Sequence, residues 1–326
     1  MISAPRVAAL VGPTGSGKTA LAVALHVQHG LPIEVVSVDA VQVYRRLDAG
    51  TAKPTLAERQ AVPTWLIDVA DPVQPWNTAR HMAEAMAVIA AITARGHWPL
   101  LVGGAGLYVR SLVRGLAEIP EVPQAVRVQL AQAWQLQGPG PMHEQLQRLD
   151  PAYAAKTPAQ NRQRVLRALE VIVATGIPFS QYHQAHAQQP DRLDALTLVL
   201  DPPRAAFAPI LAARAAAMAG PILHEVKQLL DGGLPADAPA LQALGYRDAV
   251  EVLGQGLPLQ LLQERLVRSH SAYVKRQRTW FAKCDADLQL SAVNPDQLAV
   301  LATTLREFFE QGRRPPRSPQ QPVPQG

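Results

Sequence analysis

The residues best suited to chemistry form a glycine-rich loop near the N-terminus. Residues 12–19 read Gly12-Pro13-Thr14-Gly15-Ser16-Gly17-Lys18-Thr19. This is the G-x-x-x-x-G-K-[ST] pattern, in which backbone N–H groups converge on phosphate oxygens at the N-terminus of a helix. Lys18 adds a full positive charge, and the Thr19 hydroxyl is suited to Mg²⁺. The loop therefore predicts a diphosphate site, and it leaves open whether that diphosphate belongs to a nucleotide.

A carboxylate follows the next apolar run of the chain. Ile33 to Val38 is short and rich in β-branched residues, so it predicts a buried parallel strand with Asp39 at its carboxyl end. Asp39 is a candidate for a general base or for a group that holds Mg²⁺ through water. The amide of Gln42 and the phenol of Tyr44 are suited to the edges of a nucleobase, although Tyr44 is equally suited to core packing.

Alternating strands and helices indicate the fold class. Helical periodicity is found at Thr19–His29 and at about residues 78–95, with Asn77 or Thr78 as N-cap. Short apolar runs predict strands at Val7–Val11, Ile33–Val38, Leu66–Val69, Pro99–Val102 and Thr197–Leu200. The alternation predicts an α/β fold, a P-loop NTPase-like parallel sheet flanked by helices. Ligands of such sheets bind beyond the carboxyl ends of the strands, where the P-loop, Asp39 and Gly103 all fall.

The strand signals are interrupted by a long helical stretch. Residues 115–190 combine helical periodicity with polar Gln and Arg, which predicts a helical insertion domain. Within it, Thr157 is the expected cap of a helix that ends at Gly176. The catalytic core is expected to comprise residues 1–114 and 191–285. Its second part is predicted to hold helices near 204–219, 221–231, 239–253 and 258–283. Gly220 is an expected break between two of them, and the Pro-rich residues 312–326 predict a disordered tail.

The composition excludes some classes of protein. Cys284 is the only cysteine, so neither an intramolecular disulfide nor a cysteine-based metal site is available. The formal charge of +5 favours a polyanionic partner without specifying one. We find neither the pattern of a signal peptide nor an apolar run long enough to span a bilayer, so we expect no membrane partner and a cytoplasmic location.

A series of short motifs extends from the loop to residue 283. In chain order they are Asp39-x-x-Gln42-Val43-Tyr44-Arg45, Gly50-Thr51-Ala52-Lys53-Pro54, Leu66-Ile67-Asp68, Gly103-Gly104-x-Gly106-Leu107-Tyr108, Arg164-x-x-Arg167-Ala168-Leu169-Glu170, Gly245-Tyr246-Arg247 and Lys275-Arg276-Gln277-x-Thr279-Trp280-Phe281. With these motifs the chain resembles the bacterial tRNA dimethylallyltransferase family. The resemblance covers about residues 7–283, and several motifs in one order are far more specific than any one alone.

The resemblance implies a reaction and its participants. Members of that family transfer the dimethylallyl group of dimethylallyl pyrophosphate to N6 of the adenosine 3′-adjacent to the anticodon, position 37, in tRNAs that read codons beginning with U. The products are N6-(dimethylallyl)adenosine and pyrophosphate, and no ATP is consumed. By this resemblance the P-loop and Mg²⁺ hold the leaving pyrophosphate, with Thr19 as the metal ligand. The implied catalytic residues are Lys18, Thr19, Asp39, which takes the N6 proton, and Arg214, which binds the distal phosphate.

The resemblance also implies that a monomer binds the anticodon stem-loop through residues along much of the chain. The implied contacts are Asp39, Ala40, Val41, Gln42, Ala105, Gln163, Arg164, Val165, Leu166, Arg167, Gly245, Tyr246, Arg247, Lys275, Arg276, Gln277, Arg278, Thr279 and Trp280. Several basic residues of the last long helix, beginning at Arg265, are spaced to lie on one stripe. That stripe and the basic helix around Arg164 favour contact with an RNA backbone over a merely solvated face.

The chain departs from the family pattern at several positions. Ala105 replaces a threonine whose hydroxyl approaches the reaction centre. Activity is still expected, and the loss of this hydroxyl is a reason for a lower rate. Thr64-Trp65 replaces a His pair, Pro123 replaces an Asp, and His270-Ser271 replaces a Thr-Arg pair. Alternative functions are left open: a small-molecule kinase or other P-loop NTPase, a prenyltransferase for free adenine nucleotides, and a tRNA-binding protein that has lost turnover.

Overall fold

The computed structural model describes residues 4–316, which form two compact units. The first unit combines the chain up to Val113 with the chain from Arg192 onward, and the second is Arg114–Asp191. The phosphate loop and Asp39 both belong to the first unit. Each unit is built around its own apolar core, as the element order and the buried residues indicate.

A parallel sheet forms the centre of the first unit. Its strands are β1 Arg6–Val11, β2 Ile33–Val38, β3 Thr64–Trp65, β4 Trp98–Gly103, β5 Asp194–Leu200 and β6 Leu288–Leu290. Within residues 4–316 this six-stranded sheet has the order β3-β2-β4-β1-β5-β6, and each pairing is parallel. The predicted α/β fold is therefore confirmed. Because β1 lies between β4 and β5, the carboxyl end of a central strand leads directly into the phosphate loop.

Helices of the first unit cover both faces of this sheet, and the helices between Gln124 and Ala187 belong to the second unit. In chain order the helices are α1 Lys18–His29, α2 Leu56–Ala61, α3 Thr78–Ala94, α4 Gly106–Arg114, α5 Gln124–Gln137, α6 Pro139–Leu149, α7 Pro151–Ala154, α8 Arg162–Thr175, α9 Phe179–Ala187, α10 Arg204–Asp231, α11 Tyr246–Gly254, α12 Leu259–Phe281 and α13 Pro295–Arg306. On β1, Ala8 and Leu10 pack in the same cluster as α1 and α13, whereas Val7 and Ala9 pack with α3 and α4. This division follows from the alternation of side chains along a strand.

Several helix ends were correctly predicted from short-range signals. The side chain of Asn77 accepts a hydrogen bond from the backbone N–H of Arg80 at the start of α3. Gly30 and Gly176 end α1 and α8 in the left-handed conformation, with φ of 61° and 72°. Such caps act through groups a few residues apart, so the local sequence is sufficient to reveal them.

Other boundaries were predicted wrongly. The strand expected at Leu66–Val69 is β3 at Thr64–Trp65, and Leu66 has a left-handed backbone with φ of 63°, which no strand accommodates. The cap of α8 is Asn161, whose side chain accepts from the N–H of Arg164, and not Thr157. The elements β6 and α13 lie in a stretch for which we predicted none.

Helix α10 is continuous over 28 residues, although the sequence predicted two helices separated at Gly220. It is long and apolar enough to cross a membrane by length and composition, which corrects our expectation that no apolar run reaches that length. This is weak evidence for a membrane, because long core helices meet the same criterion. Here Leu211, Ala219 and Val226 are buried, and the helix packs against α11 and α12. This packing holds α10 together through its internal glycine and prolines.

The second unit consists of α5–α9 around residues that include Leu130, Met142, Val165, Leu169 and Phe179. An apolar stripe with helical spacing on α8 supplies much of this core. The unit thus has the helical character predicted for residues 115–190.

The predicted tail lies mostly outside the described residues, which end at residue 316. Arg314, at the start of that tail, donates a hydrogen bond to the Asp287 carboxylate at 3.0 Å and also binds Asp194. The stretch 312–316 is therefore held against the ends of β5 and β6. The disorder predicted for residues 317–326 lies outside the part of the chain that the structure describes.

The end of β4 provides a test of this fold. A Cβ on Gly103 would lie 2.0 Å from the backbone oxygen of Val38, and neither backbone can move freely within the sheet. We expect Gly103→Ala to lower the free energy of unfolding by about 1–3 kcal/mol, as overpacking does. In the matched control Gly254→Ala, nothing lies within 4 Å of the added Cβ, so we expect a gain of about 0.5–1 kcal/mol. Chemical denaturation measures the free energy of unfolding of both variants. Equal effects of the two substitutions would contradict the close packing assigned to Gly103.

Candidate active site

The phosphate loop joins the end of β1 to the first turn of α1. Its backbone is left-handed at Gly12, Gly15 and Gly17, with φ of 153°, 81° and 92°. A Cβ on Gly12 would also lie 2.1 Å from the backbone oxygen of Leu200, so this glycine is required for the approach to β5 as well. These conformations turn the loop so that α1 begins at Lys18 and points its N-terminus into the space beyond the sheet.

Lys18 lies over its own loop. Its Nζ donates hydrogen bonds to the backbone oxygens of Gly12 and Pro13, at 3.0 and 2.6 Å. The pKa of Lys18 is lowered to about 8, chiefly by burial. The nearby Asp39 carboxylate opposes this shift, and the positive charge of Arg214 adds to it. The protonated amine is destabilised by these surroundings, and a bound anion would stabilise it. The ammonium of Lys18 is therefore suited to a phosphate ligand.

Arg214, on α10, contributes to the same cationic surface. Its Nη1 lies 3.9 Å from the position that a Cβ on Gly15 would take, so the guanidinium is adjacent to the phosphate loop. Burial lowers its pKa. Within residues 4–316 it forms no ion pair with an acidic side chain. The α10 side of the pocket therefore presents a positive charge that is not neutralised by the protein.

Asp39 follows β2 on the opposite side of the loop. Its Oδ1 accepts hydrogen bonds from the backbone N–H groups of Val41 and Gln42, at 2.8 and 3.1 Å, which fix the direction of the carboxylate. Burial raises the pKa of Asp39, and these two hydrogen bonds and the charge of Lys18 oppose the rise. A carboxylate whose pKa is raised in a pocket is a better proton acceptor than an exposed one.

Lys18 and Asp39 line one pocket of about 610 Å³. The volume is in the range of small-molecule sites. The same pocket is lined by Thr14, Gly15, Gly17, Thr19, Ala40, Val41, Gln42, Gly103, Gly104, Arg214, His270, Tyr273 and Gln277. The structure thus brings together the phosphate loop, Asp39 and Arg214, which are far apart in sequence.

Helix α12 forms one wall of the pocket through His270, Tyr273 and Gln277. Their spacing of three and four residues puts them on one face of the helix. The Gln277 Oε1 accepts from the backbone N–H of Thr14 at 2.9 Å, and its Nε2 donates to the backbone oxygen of Gly104 at 3.0 Å. This buried amide therefore ties the phosphate loop to the loop after β4.

Phenols surround the Asp39 side of the pocket. Burial raises the pKa of Tyr108 to about 12, with smaller contributions from Tyr44 and from Asp39. Burial also raises the pKa of Tyr273, again with a contribution from Asp39. Both tyrosines therefore remain neutral near neutral pH. We did not assign Tyr273 a role from the sequence, although its position four residues before Gln277 was the available signal.

Some residues with implied tRNA contacts are core residues instead. Val165 and Leu166 are buried in the second unit, and Tyr246 is fully buried in the first. The Tyr246 hydroxyl donates to Glu225 and accepts from the N–H of Gly50, which ties α11 and α10 to the loop after β2. Little or none of these three side chains is exposed, and their assignment as tRNA contacts stays a prediction.

The remaining implied contacts differ in exposure. Gly245, with φ of 84°, is buried, and Gln277 has its amide engaged as described. Arg278 is partly exposed and pairs with Asp201 at 2.9 Å, and Ala105 packs beside the core near α4. Trp280 is partly buried against Gly106, where a Cβ would lie 2.1 Å from the indole nitrogen. Arg167 lies 3.7 Å from Glu170. The exposed members are Ala40, Gln163, Arg164, Arg247, Lys275, Arg276 and Thr279.

The depressed pKa of Lys18 predicts how anion binding depends on pH. Below about pH 8 the amine is already protonated, whereas above that value a bound anion must recruit a proton. We expect the affinity for inorganic pyrophosphate to fall as the pH rises above 8. The proton that is taken up on binding can be measured by calorimetry in buffers of different ionisation enthalpy. The guanidinium of the variant Lys18→Arg stays charged at these pH values, so this variant should show neither the fall in affinity nor the proton uptake. Identical pH profiles for the two proteins would contradict the assignment.

Known proteins match the chain over most of its length. The family model "IPP transferase" matches residues 42–284, and "Isopentenyl transferase" matches residues 5–72. The chain is 37% identical over 306 residues to tRNA dimethylallyltransferase 1 of Trichlorobacter lovleyi, covering 94% of this chain and 99% of that one. It is 43% identical over 282 residues to tRNA dimethylallyltransferase of Anaeromyxobacter sp. (strain K), covering 85% and 90%. The solved full-length tRNA isopentenylpyrophosphate transferase of Bacillus halodurans has a TM-score of 0.66 and 31% identity, covering 94% and 97%. The chain belongs to the IPP transferase family.

Proposed function

We propose that the protein transfers a dimethylallyl group from dimethylallyl pyrophosphate to N6 of adenosine 37 in tRNAs that read codons beginning with U. The products are N6-(dimethylallyl)adenosine and pyrophosphate. The observation that carries this proposal is one pocket in which the Lys18 and Arg214 cations face the same space as the Asp39 carboxylate. Relatives that share most of the chain are named tRNA dimethylallyltransferases, which is consistent with that chemistry.

The phosphate loop serves the leaving group in this reaction. As the bond between the allylic carbon and the diphosphate oxygen breaks, negative charge accumulates on the diphosphate. The N–H groups of the loop, Lys18 and Arg214 stabilise that charge, and the burial that lowers the pKa of both side chains strengthens the interaction. Positive groups that are fixed before the reaction need little reorganisation as it proceeds.

Asp39 serves the nucleophile. The exocyclic amine of adenine is weakly nucleophilic, so it must be aligned with the allylic carbon and relieved of a proton. As the new N–C bond forms, the N6 proton passes to Asp39. The hydrogen bonds from Val41 and Gln42 hold the carboxylate in place, and burial raises its pKa and hence its basicity.

We propose Mg²⁺ as the cofactor. Thr19 and Asp39 both line the pocket with the oxygen donors that this ion prefers, and the substrate diphosphate would complete the set. Thr19 would bind the ion directly, and Asp39 could do so through water. When bound, Mg²⁺ would neutralise part of the diphosphate charge.

The tRNA is the second substrate. An adenine stacked in the anticodon loop cannot reach Asp39, so the base must be extruded into the pocket. The exposed basic residues Arg164, Arg247, Lys275 and Arg276 are suited to the phosphate backbone. We further propose that a monomer acts on tRNA in the cytoplasm, in accord with the basic charge and the composition of the chain.

A direct assay tests the activity. Purified protein is incubated with Mg²⁺, dimethylallyl pyrophosphate and a tRNA with A37, and digested tRNA is analysed by mass spectrometry. We expect one dimethylallyl group per tRNA. A parallel reaction with ATP in place of the prenyl donor should leave the tRNA unmodified and release no phosphate. Nucleotide hydrolysis without prenylation would instead favour a P-loop NTPase.

The role of Asp39 can be separated from binding. Asp39→Asn keeps the size of the side chain and one oxygen for the hydrogen bonds from Val41 and Gln42. We expect kcat to fall by about 10²–10⁴-fold, since the general base is lost, while the Kd for tRNA changes little. Asp237→Asn, at an exposed position outside the pocket, is the matched control and should behave as wild type. A fully active Asp39→Asn enzyme would refute the base assignment.

A further inference from the structure

His270 lines the active-site pocket without a role in the mechanism described above. It lies on α12, on the same face as Tyr273 and Gln277, and only 6% of its surface is exposed. A polar ring so deeply buried costs free energy unless its nitrogens find partners. The small open fraction faces the pocket, so a partner for this ring is expected there.

The two nitrogens of the ring differ in their surroundings. Nδ1 is enclosed and has no hydrogen-bond partner among the described residues. A neutral imidazole carries one donor and one acceptor, and an enclosed N–H without a partner is the more costly choice. The proton therefore belongs on Nε2, at the edge of the ring that is left for the pocket. The tautomer is assigned by this argument.

The charges around His270 identify the part of the pocket that it borders. Burial, with a smaller contribution from the positive charge of Arg214, lowers the pKa of His270 to about 4. Arg214 also lowers the pKa of Lys18 and lies beside Gly15 of the phosphate loop. Asp39 acts on Lys18, Tyr273 and Tyr108, but it is not among the groups that shift the pKa of His270. His270 thus borders the cationic side of the pocket, where the diphosphate is bound under the proposed function.

We propose that His270 is a further diphosphate-binding residue, whose Nε2–H donates a hydrogen bond to a phosphate oxygen beside Arg214. A neutral donor fits this location because Lys18 and Arg214 already disfavour each other's charge. A third cation would add repulsion among these groups, whereas an N–H group adds only a hydrogen bond. The proposal deepens the proposed function and rests on it for the identity of the diphosphate.

Binding of inorganic pyrophosphate in the presence of Mg²⁺ tests this role without prenyl transfer. Calorimetry at pH 7.5 compares wild type with His270→Leu, which keeps the bulk and removes the donor, and with His270→Gln, which keeps an N–H donor. A hydrogen bond to a charged group corresponds to a loss of about 10–100-fold in affinity for His270→Leu. His270→Gln should retain most of the affinity. The exposed Ser271→Ala on the same helix is the control and should bind as wild type.

The kinetic consequence should be selective. We expect His270→Leu to raise the KM for dimethylallyl pyrophosphate and to leave the Kd for tRNA unchanged. If His270→Leu binds pyrophosphate like wild type, or His270→Gln is as defective as His270→Leu, the proposal is overturned. Pyrophosphate binding that depends on His270 in a protein without prenylation activity would reject the proposed function and leave this inference standing.

A spectroscopic measurement on the unaltered side chain covers the case in which His270→Leu does not fold. In ¹⁵N-labelled protein, the histidine signal that is lost in His270→Gln reports on this ring. We expect the pattern of the Nε2–H tautomer, and a shift of that nitrogen when pyrophosphate is added. A signal unaffected by saturating pyrophosphate would contradict the contact.

Discussion

The site depends on the cost of holding positive charge in a desolvated pocket. Lys18 and Arg214 both have lowered pKa values, and their mutual repulsion adds to the effect of burial on Lys18. The hydrogen bonds from Lys18 to its own loop recover part of this cost. An arriving diphosphate removes the rest, since it supplies more negative charge than the single carboxylate of Asp39 does. The charges of the pocket thus favour an anion.

The same pocket must keep a carboxylate close to these cations without neutralising them. Asp39 influences the pKa of Lys18, yet its Oδ1 is directed by the backbone N–H groups of Val41 and Gln42. The carboxylate is therefore held by β2 and its loop, and the cations by the phosphate loop and α10. This separation allows one end of the pocket to stabilise a leaving group while the other accepts a proton.

Contacts outside the sheet hold the loops of the active site in position relative to one another. Gln277 connects the phosphate loop to the loop after β4, and Tyr246 connects α11 through Glu225 to the loop after β2. Both side chains are buried, and each satisfies backbone groups that would otherwise lack partners. Motif residues that resemble substrate contacts in the sequence can therefore contribute by positioning the loops that carry the chemistry.

The sequence by itself determined the phosphate loop, the α/β class and several helix ends. These features depend on groups within a few residues of one another, such as the loop from Gly12 to Thr19, or on the strong apolar signal of a strand like Ile33–Val38. The motifs were also sufficient to indicate the family, which the comparisons confirm. Local spacing in the chain carries this information.

Only the tertiary structure decided which motif residues face the pocket. Val165 and Tyr246 lie in basic or polar motifs, yet both are buried, because burial depends on the helices that pack against them. The short β6 became recognisable only through its pairing with β5. Likewise, His270 was only a departure from a pattern until α12 placed it on the wall beside Arg214. Contacts between distant segments fix these outcomes, and periodicity along one segment does not encode them.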